Sequence, residues 1–317
     1  MSSSPRVLVV GGGLAGLTAA WRLQGAGAHV TVLEQSAQVG GRSAATDPPG
    51  PASVVPARAP VLSGLVEDLG MAERVHRVRL GSGPARRGGG PRARLALRRL
   101  RGLLDWFGDS LDGRVPERGL RLDDRSTADF TRLYLGAGAL RGALGAPFAE
   151  LGLDPHETSR LLLLLLMDPW GDVALSRMHG LDELSEELGK RLADVRRGAR
   201  VTEVQQDGRA VHLAGGDRVQ GDAVLLATRA PDALTLAPGL APAEERFLRG
   251  VHYADRPGAV PAFTVGHYRG AARLRQEQTQ RFAGRHTLLC GDYLVAPHAE
   301  GAAVAGVRAA DELLAAL

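Results

Sequence analysis

The chain has 317 residues, 44% of them hydrophobic and 4% aromatic, with 39 basic against 35 acidic side chains for a formal charge of +4. That length suits one large domain or two interleaved ones. A single cysteine, Cys290, excludes an intrachain disulfide and a cysteine-based metal site, and the longest apolar run, Leu161 to Met167, is too short to cross a bilayer.

The small arginine excess reads as a solvated surface, so no nucleic-acid partner is expected. Met1 to Pro5 lacks a charged region followed by an apolar one. No secretory leader is therefore expected, which points to a cytoplasmic setting with peripheral membrane contact left open. Arg6 to Val10 is a short β-rich run that suits a strand buried on both faces. Gly11-Gly12-Gly13-Leu14-Ala15-Gly16 follows, then a helix over Leu17 to Gln24, and a second strand over His29 to Leu33 that closes on Glu34. In such a unit Gly11 permits the tight turn, Gly13 lets backbone approach a diphosphate, and Gly16 lets the helix pack close to the sheet. The helix N-terminus offers unpaired N–H groups to the phosphates. Glu34, 23 residues after Gly11, can accept hydrogen bonds from ribose hydroxyls.

Val39-Gly40-Gly41-Arg42 comes a few residues later. With this addition the chain resembles the flavin-containing amine oxidase superfamily, which includes the protoporphyrinogen oxidases and phytoene desaturases. The resemblance implies FAD, held non-covalently, rather than NAD. It implies contacts from Gly11, Gly13, Leu14, Ala15, Gly16, Glu34, Gln35, Gly40, Gly41 and Arg42, with Arg42 near the phosphates or ribityl chain. Family members carry a Gly-Pro pair further on, where this chain has Val55-Pro56-Ala57-Arg58, and Arg58 is a candidate on the substrate side.

Val61 to Leu69 has helical spacing, stopped by Gly70. Residues 81–101 begin as a Gly/Pro-rich loop within the Pro- and Gly-punctuated first part of the chain. They continue as a basic helix with Leu95, Leu97, Leu100, Leu103 and Leu104 along one side. This helix reads as ordinary and amphipathic, or as a contact for a membrane surface or anion. Ser126 or Thr127 is placed to cap a helix carrying Phe130, Leu133 and Tyr134, and Ser159 to Met167 reads as a buried helix. Residues 76–180 thus read as a mostly helical insertion, which the resemblance implies covers the flavin and lines the substrate cavity.

A helix over Asp182 to Leu192 precedes two strands, Arg200 to Gln205 and Ala210 to Ala214, turning at Asp207-Gly208. The resemblance implies that the backbone of Val201 meets adenine. Ala223 to Thr228 and Thr287 to Cys290 read as buried strands. Gly291-Asp292 and Glu300-Gly301-Ala302 then resemble the family's closing segment, which implies Asp292 at the ribityl hydroxyls and a helix from near Gly301 aimed at the flavin N1–C2 edge. Cys290 is expected to pack as a small buried residue.

The expected fold class is α/β, a Rossmann-like FAD-binding domain (1–75, 181–230, 276–317) with an interleaved, smaller α+β substrate domain (76–180, 231–275). Three functions compete. Pro261 to His267 and Ala243 to Tyr253 look like protoporphyrinogen oxidase segments, which implies an oxidase or desaturase removing hydride from an apolar or tetrapyrrole-like small molecule, with oxygen or a quinone as acceptor. There His267 lies near substrate or serves as a structural histidine. An amine oxidase is the second reading. The family's lysine at flavin N5 is not matched by Lys190, the only lysine, though Tyr268 and Tyr293 could contribute an aromatic cage. The third is a degenerate, non-catalytic flavin binder, because the stretch between Tyr253 and Pro261 is short for the family.

Overall fold

Valine and leucine on both faces of the first two strands demand cover above and below, and the structure supplies it with helices. In the computed structural model the described residues are 4–43, 50–80, 91–136, 138–140, 144–167, 175–237, 239–256 and 258–317. Residues 44–49, the Gly/Pro-rich stretch 81–90 and the side chain of Leu97 lie outside them. The strands in chain order are β1 (Arg6–Val10), β2 (His29–Glu34), β3 (Val54–Pro56), β4 (His76–Arg79), β5 (Leu175–His179), β6 (Asp194–Arg197), β7 (Val201–Val204), β8 (Ala210–Leu213), β9 (Arg218–Gln220), β10 (Ala223–Leu226) and β11 (Thr287–Leu289).

Five of them form a parallel sheet in the order β11-β10-β1-β2-β6. With β1 between β2 and β10, the chain leaves β1 at a point where connections run to both sides, the place where open α/β sheets bind ligands. Two three-stranded antiparallel sheets, β3-β5-β4 and β7-β8-β9, sit beside it. The first helix (Leu14–Gly25) lies against the closing helix (Ala299–Ala316). They approach so closely at Gly306 that a Cβ there would fall 2.4 Å from the Ala15 carbonyl oxygen.

The apolar side chains form two cores. One surrounds the parallel sheet and takes in Leu17, Leu184, Ala233, Leu248 and Ala303. The other gathers Leu161 to Leu164, Phe130, Phe148, Phe263 and Tyr268 around the insertion. The expected cap is present, with Ser126 Oγ accepting the Asp129 N–H at 3.1 Å. Ser159 caps the leucine helix (Arg160–Leu165) in the same way. The basic helix (Pro91–Phe107) buries Leu100 and Leu104 and leaves Trp106 78% exposed.

The insertion departs from the mostly helical expectation at its ends, which are β4 and β5. Strand β6 also went unread, inside a stretch that showed only a helix and its exit. HRVR and DVRR are largely exposed, so neither carries the alternating apolar signal by which a half-buried strand announces itself.

Asp123 joins the two cores. Its side chain is fully buried and accepts N–H groups from Gly266 at 3.1 Å and Arg269 at 3.0 Å, at the start of the helix His267–Arg281. Burial raises this carboxyl above its ordinary range. Asp123→Ala orphans both N–H groups and should lower unfolding free energy by about 2–3 kcal/mol, read by urea titration. An unchanged midpoint would mean that the joint does not depend on this carboxylate.

Candidate cofactor site

A cavity of about 480 Å³ opens at the carboxyl ends of β1, β2 and β10, where Val10, Leu33 and Ala227 reach its wall. Its floor is the glycine turn. Gly11 has φ +107° and its Cα faces the Ala227 carbonyl, where a Cβ would come within 2.7 Å. A side chain at Gly16 would run into the Gly11 carbonyl oxygen at 2.1 Å, the close helix-to-sheet contact expected of the third glycine. Gly13 differs, since a Cβ there meets nothing within 4 Å. Its open face looks onto the cavity, and as N-cap of the first helix it offers no side-chain acceptor to the first N–H groups. They remain for an anion.

The Gly40-Gly41-Arg42 segment is laid against this turn by backbone pairing. The Gly40 N–H donates to the Gly12 carbonyl at 2.7 Å, and Gly40 and Gly41 have φ of +105° and +55°. Arg42 is thereby carried to the far wall. It donates to Asp292 at 2.7 Å and to the Ala259 carbonyl at 3.0 Å, with its guanidinium 5.3 Å from the centre of the Tyr253 ring. Glu34 is fixed in turn by the Gly12 N–H at 2.7 Å and the Ser36 N–H at 2.8 Å. Each oxygen keeps a further lone pair for a ligand hydroxyl.

The cavity wall brings together Gly11, Gly13, Leu14, Ala15, Glu34, Gln35, Gly40, Gly41, Arg42, Val201, Gly291, Asp292 and Ala302. It also contains Arg200, Thr228, Arg229 and His298, none of which was singled out from the sequence as a site residue. Arg200 adjoins Val201, and Thr228 ends the run Ala223 to Thr228, so adjacency was the available signal. For Arg229 and His298 the sequence carried none.

Five expected site residues stand elsewhere. Gly16 lies behind the turn. Glu300 faces away from the cavity and accepts the Val61 and Leu62 N–H groups, each at 2.9 Å, capping a helix (Pro60–Asp68) that begins at proline and has no cap of its own. Burial pushes its carboxyl up to about 7. The Gly301 N–H is taken by His298 Nδ1 at 2.9 Å, so it is not free to face a flavin. His267 is buried, its Nε2 donating to the Tyr293 carbonyl at 2.7 Å, with Phe263 4.1 Å away between ring centres. Arg58 is exposed and outside the cavity wall. Cys290 is fully buried, and burial pushes its thiol up to about 12, which makes it unreactive.

The helical insertion 76–180 contributes no described residue to this wall. Its leucine run is sealed in the second core.

Burial holds His267 and His298 neutral, each pushed down from 6.5 to about 4. As pH falls below about 6.5, the unfolded chain takes up protons that these folded rings refuse, so their stabilisation is lost between about 6.5 and 4. Glu300 acts oppositely, because its native carboxyl keeps a proton that the unfolded one releases; its contribution is lost as pH rises from about 4.5 through 7. His267→Gln should therefore flatten the decline in unfolding free energy between pH 6.5 and 4 by on the order of 2 kcal/mol. A variant that declines as steeply as the parent would contradict a buried neutral ring.

Residues 14–255 match the family profile described as flavin containing amine oxidoreductase. The fold is shared with putrescine oxidase bound to putrescine, at 16% identity and TM-score 0.72 over 99% of both chains. It is shared too with a provisionally named protoporphyrinogen oxidase from Exiguobacterium sp. 255-15, at 17% identity and TM-score 0.68 over 100% of both. A 41-residue stretch, 13% of this chain, is 61% identical to L-amino-acid oxidase of Crotalus adamanteus, and it spans 8% of that curated relative's length. A profile that matches most of the chain, on a sheet whose carboxyl ends form a dinucleotide cradle, establishes that this chain belongs to the flavin-containing amine oxidoreductase family, whose cofactor is FAD.

Proposed function

We propose that the chain is an FAD-dependent oxidoreductase that takes hydride from an apolar or tetrapyrrole-like organic molecule, with FAD held non-covalently and oxygen or a quinone as final acceptor. The observation that carries this reading is one cavity with the glycine turn on its floor, Glu34 on one wall and the Arg42–Asp292 pair on the other. In this reading the first-helix N–H groups and Arg42 hold the diphosphate, Glu34 accepts ribose hydroxyls, and Val201 borders the adenine. Asp292 keeps a free oxygen for the ribityl chain. FAD supplies the two-electron chemistry, and the protein binds and orients.

Amine oxidation is the second reading, favoured by the name of the putrescine oxidase neighbour. Against it, Tyr268 and Tyr293 lie in the cores at 2% and 0% exposure, and Lys190 is exposed on a helix outside the cavity wall. Neither of these tyrosines nor the lysine therefore lies in the cavity wall. The cofactor domain of this reading comprises 1–75, 181–230 and 276–317, with the remainder as substrate domain. Among the described residues no helix is long and apolar enough to cross a membrane, and the proposed setting is cytoplasmic with a peripheral membrane option.

Gly13→Ala separates folding from cofactor binding, since the added methyl meets no protein atom within 4 Å but stands where the diphosphate would approach. The variant should unfold like the parent and lose about tenfold or more in FAD affinity, measured by the visible flavin spectrum and by cofactor released on heating. Undiminished FAD binding would remove the glycine turn from the site. The substrate is tested by anaerobic bleaching of the flavin with porphyrinogens, primary amines and L-amino acids in turn. Bleaching by the porphyrinogen is expected, and bleaching by amines alone would overturn the proposal in favour of the second reading.

A further inference from the structure

The sheet order fixes a direction along the cavity. Glu34, Gln35 and Ser36 leave β2, and Ala199 to Val201 lead into the strand pair beyond it, on one side of β1. Gly291 and Asp292 leave β11, at the opposite edge of the sheet. A dinucleotide whose diphosphate lies on Gly13 and whose adenosine meets Glu34 must place its other half toward Asp292. His298 and Ala302 line that second end.

His298 is 8% exposed and is the N-cap of the closing helix. Its Nδ1 accepts the Gly301 N–H at 2.9 Å. A backbone N–H can only donate, so Nδ1 holds a lone pair and the ring proton sits on Nε2. Burial disfavours a second proton, leaving one neutral tautomer. Among the described contacts Nε2 has no protein acceptor, and the ring forms part of the cavity wall.

Resting on the FAD reading above, we infer that His298 is a neutral hydrogen-bond donor to the cofactor's isoalloxazine, its Nε2–H directed at the carbonyl edge that gains negative charge on reduction. A donor fixed in a largely buried wall stabilises that charge without reorganising. The helix end works through this side chain: its Gly301 N–H orients the imidazole, and the imidazole carries the donor to the ring.

The test uses the full chain loaded with FAD, with His298→Ser and His298→Ala. Serine keeps an acceptor for the Gly301 N–H and is too short to reach the ring, whereas alanine removes cap and donor together. Two readouts that need no turnover are the two-electron midpoint potential and the dissociation constant of sulfite, whose addition to flavin leaves negative charge on the same edge. Both variants should bind sulfite about tenfold more weakly and show a lower potential, while only His298→Ala should lose thermal stability. Parent-like sulfite affinity and potential in His298→Ser would overturn the inference and leave His298 a cap alone. A parent protein that takes up no FAD would overturn the cofactor reading and this inference with it.

Discussion

Gly11 is the point on which the rest of the structure depends. Its N–H donates to the Leu33 carbonyl at 2.9 Å, its Cα lies against the Ala227 carbonyl, and its own carbonyl touches the Gly16 Cα region. The ends of β2 and β10 and the start of the first helix are thus gathered on one residue without a side chain. Any larger residue would force two strands apart at φ +107°. The cavity exists because three elements come this close at one level and separate just above it.

From that point the charges of the site are held in place by polar partners within the protein. Glu34 is fixed by two N–H groups and Arg42 by a carboxylate and a carbonyl. Tyr253 stands between Arg42 and Arg229, with guanidiniums 5.3 Å and 5.0 Å from its ring centre. Side chains already ordered by the protein lose less freedom when a ligand arrives. The short connection between Tyr253 and Pro261, which pair across a bridge, brings both the tyrosine and the Ala259 carbonyl to Arg42.

Much of this was legible because local rules and the fold agree. RVLVV, the glycine turn and the terminal acid lie within one stretch of chain, so sterics and spacing alone read the first strand, the tight turn and the helix. The closing segment was legible only by resemblance, and there the detail went astray. Glu300 and Gly301 sit beside the site in sequence, but their partners are Val61, Leu62 and His298, and no local pattern encodes a carboxylate capping a helix more than two hundred residues earlier. His298 went unread for the same reason, since a lone histidine beside a proline has no periodicity. Strands β4 and β6 were lost because their exposed arginines conceal them.

The close passage of the closing helix over the first, at Gly306 and Ala15, has a consequence in time. The cavity's two ends come from the first and the last parts of the chain, and the sheet edge at β11 is laid down only after residue 287 has been made. During synthesis the glycine turn must wait, its far wall missing, while more than two hundred residues emerge. Contacts this distant in sequence close slowly. The cavity wall is complete only once Gly291, Asp292, His298 and Ala302 have joined the glycine turn.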